Sequence, residues 1–224
     1  MPTSPDFPYP RRYNSLRLLG FDYSSLDALW FITLNTEKSL PLFGDVKLAK
    51  LILGALLNQR TLSRLHVCAF TLLPDHFHLL AGIRRTEKSL SVSLAAFKSY
   101  TTQVFWKRAH EIIQEWKVDL PAREFKKGVK EELRVLIRSL TTWQASIRPE
   151  VVEIQHWPNV KPEHFLGKTL WHGGFHEHII RNEMDLRETL EYIALNPVNR
   201  GYVSQPQFYP FTSFIKMCSN QNLI

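Results

Sequence analysis

Apolar and polar positions change period several times along this chain, and each change marks an element. Leu29–Thr36 (LWFITLNT) is rich in aromatic and β-branched residues and predicts a strand. Past Asp45, whose carboxylate suits the free amides of a helix start, apolar residues recur at helical spacing, which predicts a helix over Val46–Asn58. Leu65–Leu73 (LHVCAFTLL) is a second strand, Pro74-Asp75 a turn, and His76–Ile83 (HFHLLAGI) a third strand, so the two strands form a hairpin. Leu90–His110 predicts one helix or two. Pro121 opens another that reaches about Gln144, with Phe125, Val129, Leu133, Leu136, Ile137 and Leu140 as its apolar stripe. Residues 145–169 read as loop. Leu170–Ile180 (LWHGGFHEHII) predicts a fourth strand with a bend or bulge at its Gly-Gly pair. Asp185 starts a helix to about Leu195, which Pro197 should stop. The tail, 198–224, reads as irregular.

The coarse order is β-α-β-β-α-(α)-β-α, an α+β arrangement with helices packed on an antiparallel sheet. A length of 224 residues suits one domain, 1–224, with a real core. Composition then narrows the partners. Net charge is +7 and the pI about 9.5, which favours polyanions, although charge alone does not single out nucleic acid. Residues 1–20 form a basic arm carrying Arg11, Arg12 and Arg17. The two cysteines, Cys68 and Cys218, make no disulfide framework, and Cys68 reads as a small buried hydrophobe. The first nine residues lack the apolar stretch of a signal peptide, and runs such as Leu51–Leu57 are too short to span a bilayer. A cytoplasmic protein without a membrane partner is expected.

Four constellations could carry chemistry. In a strand, His76 and His78 face the same way while Phe77 points to the opposite side, so both imidazoles can converge on one metal. On spacing alone, two unrelated histidines are the commoner case. Tyr192 and Asn196 lie four apart on a helix and share a face. A tyrosine hydroxyl can act as a nucleophile, and an amide oxygen can bind a hard cation. Spacing alone favours a half-buried tyrosine and an asparagine that helps end the helix. Lys126, Lys130, Arg134 and Arg138 align along one helix flank and could track a phosphate backbone, although Glu124, Glu131 and Glu132 make a solvated face an equal reading. His172, His176 and His178 could extend a metal site; for His172 and His176 a hydrogen-bonded position in the sheet is the first reading.

Taken together, five segments resemble a family. Leu73-Pro74-Asp75-His76-Phe77-His78-Leu79-Leu80 is similar to the HUH (His-hydrophobic-His) segment of single-tyrosine transposases that act on single-stranded DNA. The subgroup it most resembles is the REP-associated tyrosine transposases. Gly20 to Ser25, Phe97 to Thr101, Leu170 to Glu183, and Tyr192 to Val198 with Gly201 and Tyr209 to Ser213, add to the likeness in order along the chain. The resemblance implies a ferredoxin-like fold: a central antiparallel sheet with packed helices, the HUH motif on a central strand and the tyrosine on a C-terminal helix. It implies Tyr192 as nucleophile and His76, His78 and Asn196 as ligands of Mg²⁺ or Mn²⁺, with His178 a possible accessory. Arg11, Arg12, Lys98, Lys126, Lys130, Arg134 and Arg138 become candidate DNA contacts. The chain departs from the pattern at His172 and His176, and in a long helical insertion and loop over 104–169.

The chemistry so implied is cleavage and rejoining of single-stranded hairpin DNA through a 5′-phosphotyrosine, by a monomer or a homodimer. Two rivals stand beside it. One is a DNA-binding regulator of the same fold that does not transpose. The other is a hydrolytic zinc enzyme built on His76, His78 and His178, in which a metal-bound water does the work of the tyrosine.

Overall fold

The computed structural model describes residues 28–84, 89–115 and 169–213, with positions 158, 161 and 164. Strand β1 is Leu29–Asn35, helix α1 Val46–Leu56, the short helix α2 Gln59–Leu62, strand β2 Leu65–Leu72 and strand β3 His76–Ile83. Helix α3 is Leu90–Glu115, strand β4 His176–Ile179 and helix α4 Glu183–Asn199. The strands form one antiparallel sheet in the order β2-β3-β1-β4. That order, with α1 linking β1 to β2 and α3 lying between β3 and β4, is the ferredoxin-like βαββαβ arrangement.

Each element follows from its residues. The Asp45 carboxylate accepts the backbone amides of Lys47 and Leu48 and so caps α1 as expected. Strand β1 alternates: Trp30, Ile32 and Leu34 are buried on one face, while Phe31, Thr33 and Asn35 face the other. Strand β3 shows no such alternation because it is buried along its whole length. Helices α1 and α3 join the core beneath it, and α4 packs over β2 and β3 on the opposite face. A strand covered on both faces needs apolar or internally paired side chains at every position. Strand β2 switches faces midway. Its pairing with β3 shifts between Val67 and Ala69, leaving Cys68 as the extra residue of a β-bulge. Beyond the bulge, Phe70 and Leu72 join the main core and Ala69 packs under α4. Cys68 is half-buried on the α4 side, and burial raises its pKa.

The structure settles one open expectation and corrects two. Helix α3 is one continuous helix that runs through position 104, and Val104, Phe105, Trp106 and Ala109 are core residues. Most of the expected insertion over 104–169, including the predicted helix over Pro121–Gln144, lies outside the described residues. Helix α4 begins earlier and ends later than expected, with Pro197 inside it. Proline removes only one helical bond there. The last turn is instead closed by Gly201, at φ +73°, whose amide donates to the Val198 carbonyl while that of Tyr202 donates to the Pro197 carbonyl. That paired bonding is a Schellman cap, which holds the helix end without needing the proline nitrogen. The near part of the tail is also built into the fold. Tyr209 and Phe211 are buried, Thr212 bridges Thr71, and the Tyr209 hydroxyl donates to the Leu72 carbonyl. This segment covers the free edge of β2, which would otherwise offer unpaired backbone groups.

Candidate active site

The turn before β3 is pinned from two sides. The Thr36 amide and hydroxyl both donate to the Asp75 carbonyl, and the Phe43 amide donates to that of Pro74. This fixes where β3 starts and hence which way its side chains point. His76 and His78 project from the same face, ring centroids 4.7 Å apart. Phe77 points the other way, into the core against Phe70 and Phe97. The shared face expected from strand alternation is therefore present, and both imidazoles are buried.

Each ring is oriented by a neighbour. His76 Nδ1 lies 2.6 Å from an Asp75 carboxylate oxygen, an arrangement that directs Nε2 away from the turn. Burial would raise the Asp75 pKa, but the His76 hydrogen bond and the electrostatic pull of His76 and Arg200 outweigh it and hold the carboxyl below its ordinary value. His78 stands opposite Thr33 in the sheet, and its Nδ1 donates to Thr33 Oγ1 at 2.8 Å. Its Nε2 accepts from Asn196 Nδ2 at 3.2 Å. Burial, reinforced by the fields of His76 and Arg200, keeps His78 neutral, its pKa well below the ordinary imidazole range. A neutral imidazole with a lone pair on Nε2 is the form that ligates metals.

Helix α4 brings the remaining groups over this face. Asn182 caps it, accepting the Asp185 amide, and Ile193 anchors it against Ala69 and Leu80 of the sheet. Tyr192 then lies edge-on to the rings of His78 and Phe31, centroids 5.1 and 5.6 Å away. Tyr192 is half-buried, and burial raises its pKa; Arg200 and a hydrogen bond with the Asn196 side chain only partly offset that. Asn196 is buried, and among the described residues no donor reaches its Oδ1. Leaving a buried carbonyl oxygen unpaired costs about 1–3 kcal/mol. A hard cation beside two imidazole nitrogens would relieve that cost, so the donor set of His76, His78 and Asn196 fits a divalent ion such as Mg²⁺ or Mn²⁺.

The other candidates fall elsewhere. His178 pairs with Phe31 across the sheet, and its Nε2 is bonded to both carboxylate oxygens of Asp185, at 2.8 and 2.9 Å. It ties β4 to the start of α4 and is not a third histidine beside His76 and His78. Among the described residues no three His, Cys, Asp or Glu side chains converge on a metal position, and the His178 nitrogen that the zinc-hydrolase reading would use is bonded to Asp185. His172 is exposed before β4, its amide donating to the Asn35 carbonyl of β1, and His176 lies exposed on β4. The loop between them is the expected bulge. Thr36 pairs with Trp171 and Thr33 with His176, so three residue steps on β1 face five on the other side and two residues are extruded. Lys98, expected to contact DNA, donates from Nζ to the carbonyls of His172, Gly173 and Gly174 at 2.6, 3.2 and 3.0 Å. Its ammonium protons are used on the loop, and burial lowers its pKa. Arg11, Arg12, Lys126, Lys130, Arg134 and Arg138 lie outside the described residues.

Sequence reasoning missed three site residues: Asp75 as partner of His76, Thr33 as partner of His78, and Arg200. The first two were hidden in a turn signal and a strand. Arg200 could have been found, because it continues the four-residue spacing of Tyr192 and Asn196.

No family model matches the chain. A REP-associated tyrosine transposase of Escherichia coli K12 is 41% identical over 61 residues, 26% of this chain and 37% of that protein. A Haemophilus influenzae protein, provisionally given the same name, is 24% identical over 146 residues, 65% of this chain and 57% of that protein. The chain thus matches little more than half, at most, of the length of these relatives. A solved structure of a REP-associated tyrosine transposase bound to a REP hairpin aligns over 98% of this chain and 89% of its own, at 18% identity and a TM-score of 0.44.

Proposed function

The chain is a relative of the REP-associated tyrosine transposases, and from that premise we propose that it cleaves and rejoins single-stranded hairpin DNA through a covalent bond to Tyr192. The observation that carries the reading is the meeting of Tyr192 and Asn196 with His76 and His78 on one face of the sheet, within one chain. The Tyr192 hydroxyl oxygen attacks a phosphodiester phosphorus. The bond from phosphorus to the 3′ oxygen breaks, that oxygen leaves as a 3′ hydroxyl, and the 5′ phosphate stays on the tyrosine. A second strand's 3′ hydroxyl can reverse the step and reseal DNA without ATP, because the ester energy is kept in the phosphotyrosine.

The chain's own groups prepare that attack. Asp75 and Thr33 hold the imidazoles by Nδ1. His78 Nε2 accepts from Asn196 Nδ2, so a shared ion requires the Asn196 amide to turn Oδ1 toward it in place of Nδ2. When bound by His76, His78 and Asn196, a divalent ion polarises a phosphoryl oxygen and offsets charge in the transition state. The edge-on rings of Phe31 and His78 limit where the phenol can move and shield it from water.

The test is incubation with single-stranded hairpin oligonucleotides and Mn²⁺, read on a denaturing gel for a protein–DNA adduct. Wild type should give an adduct that excess chelator abolishes. Tyr192→Phe should give none while still folding and binding DNA, since the ring contacts survive and only the attacking oxygen is lost. Wild-type cleavage by that variant would sink the mechanism.

A further inference from the structure

Helix α4 presents Tyr192, Asn196 and Arg200 at successive four-residue steps, each turning the side-chain direction by only about 40°. The first two reach the histidines. Arg200 is the cap residue of the helix, its amide bonded to the carbonyls of Asn196 and Val198, and Gly201 locks the backbone immediately after it. Its Cα is therefore as firmly positioned as that of Asn196. Its side chain is exposed, and among the described residues its guanidinium makes no hydrogen bond or ion pair. The helix geometry places it one turn beyond Asn196 on the same flank, and its charge acts on Asp75, His78, Tyr192 and Tyr202.

An arginine at the end of a helix is ordinarily explained by the helix dipole, since cations favour the C-terminal carbonyls. That accounts for its sign but not for its position on the same flank as the tyrosine and asparagine. The His78 imidazole, the Tyr192 phenol and the Asn196 amide carry no positive charge for a phosphodiester, so beyond any bound ion a cation on this flank is needed to engage its second anionic oxygen. Asp75, a carboxylate that feels the Arg200 charge, is already hydrogen-bonded to His76. Resting on the strand-cleavage reading above, we infer that Arg200 contacts the substrate phosphate that enters between Tyr192 and the histidines, its planar fork engaging the phosphoryl oxygens as an ammonium would not.

The test measures binding of a single-stranded hairpin oligonucleotide across a salt series without metal, then single-turnover cleavage with Mn²⁺. Wild type is compared with Arg200→Ala, Arg200→Lys and Arg187→Ala. Arg187 is an exposed cation on the same helix, paired with Glu183, and serves as the control for charge alone. Arg200→Ala should flatten the salt slope by about one unit and slow cleavage about 100-fold. Arg200→Lys should restore the slope but only part of the rate, and Arg187→Ala should change neither. An unchanged slope in Arg200→Ala, or an equal change in Arg187→Ala, overturns the contact. Wild type that shows the Arg200-dependent slope yet yields no adduct overturns strand cleavage and leaves the phosphate contact standing. Wild type that does not bind the oligonucleotide overturns both.

Discussion

At the scale of single residues, Asp75 and His78 carry the sharpest expectations. The 2.6 Å bond from His76 Nδ1 to Asp75 does for that imidazole what carboxylates do for metal-bound histidines generally: it fixes the tautomer and the ring plane. Asp75→Asn should keep the fold and weaken Mn²⁺ binding and adduct formation about 10- to 100-fold, measurable by metal titration of the purified variant. Full affinity would mean that His76 is oriented by the strand alone. His78 makes a prediction about pH. In the folded chain its pKa lies well below the ordinary value, chiefly through burial. As pH falls through about 6.5 the unfolded chain takes up a proton there before the folded chain does, so stability declines from that point toward the lower native pKa. With metal chelated, urea unfolding should move to lower denaturant between about pH 7.5 and about pH 5.5. His78→Gln should show a shallower decline; an equal one would place the sensitive group elsewhere.

Elements matter because they convert spacing into convergence. Strand β3 aligns two histidines by alternation, whereas α4 aligns a tyrosine, an asparagine and an arginine by its turn, and the site is where the two periods cross. Helix α4 can deliver Arg200 on the Asn196 flank only if it continues through Pro197, and its Schellman cap is what closes it. Gly201 sits at φ +73°, where an L side chain costs roughly 1–2 kcal/mol. Gly201→Ala should lower the unfolding free energy by about that amount, seen as a shift in the urea midpoint at constant slope. It should also reduce cleavage more than DNA binding, because the displaced turn carries the candidate ligand and not the bulk of the phosphate contacts. A stability loss with undiminished cleavage would show that the cap matters to the helix and not to the site.

The whole molecule has a division of labour between its faces. Helices α1 and α3 bury one face of the sheet in the main core, and α4 packs over β2 and β3 on the other, where His76, His78 and Asn196 are buried and Tyr192 half-buried. Among the described residues no helix is long and apolar enough to cross a membrane. With a net charge of +7, much of the affinity for a polyanion should come from cations spread over the surface. Reversing Lys130 and Arg134 to Glu should weaken single-stranded DNA binding and reduce its salt dependence by about two units, as fluorescence anisotropy would show. An unchanged salt slope would remove Lys130 and Arg134 from the DNA contacts.

Local sequence determined the elements that local signals can specify. Asp45 capped its helix, Pro74-Asp75 made the hairpin turn, and strand alternation put His76 and His78 on one face, because each depends on residues a few positions apart. It also named Tyr192 and Asn196, through a resemblance whose motifs spacing alone could not have ranked above ordinary helix residues. The tertiary structure decided what depends on distant partners. It carried α4 past Pro197 to a Schellman cap, whose bonds to the Pro197 and Val198 carbonyls satisfy the helix end. It kept α3 whole, since Val104, Phe105 and Trp106 belong to a core assembled from far along the chain. It gave Lys98 to a loop and His178 to Asp185, because an ammonium or an imidazole bonds whatever acceptor the fold brings near, and sequence spacing does not reveal which acceptor that will be.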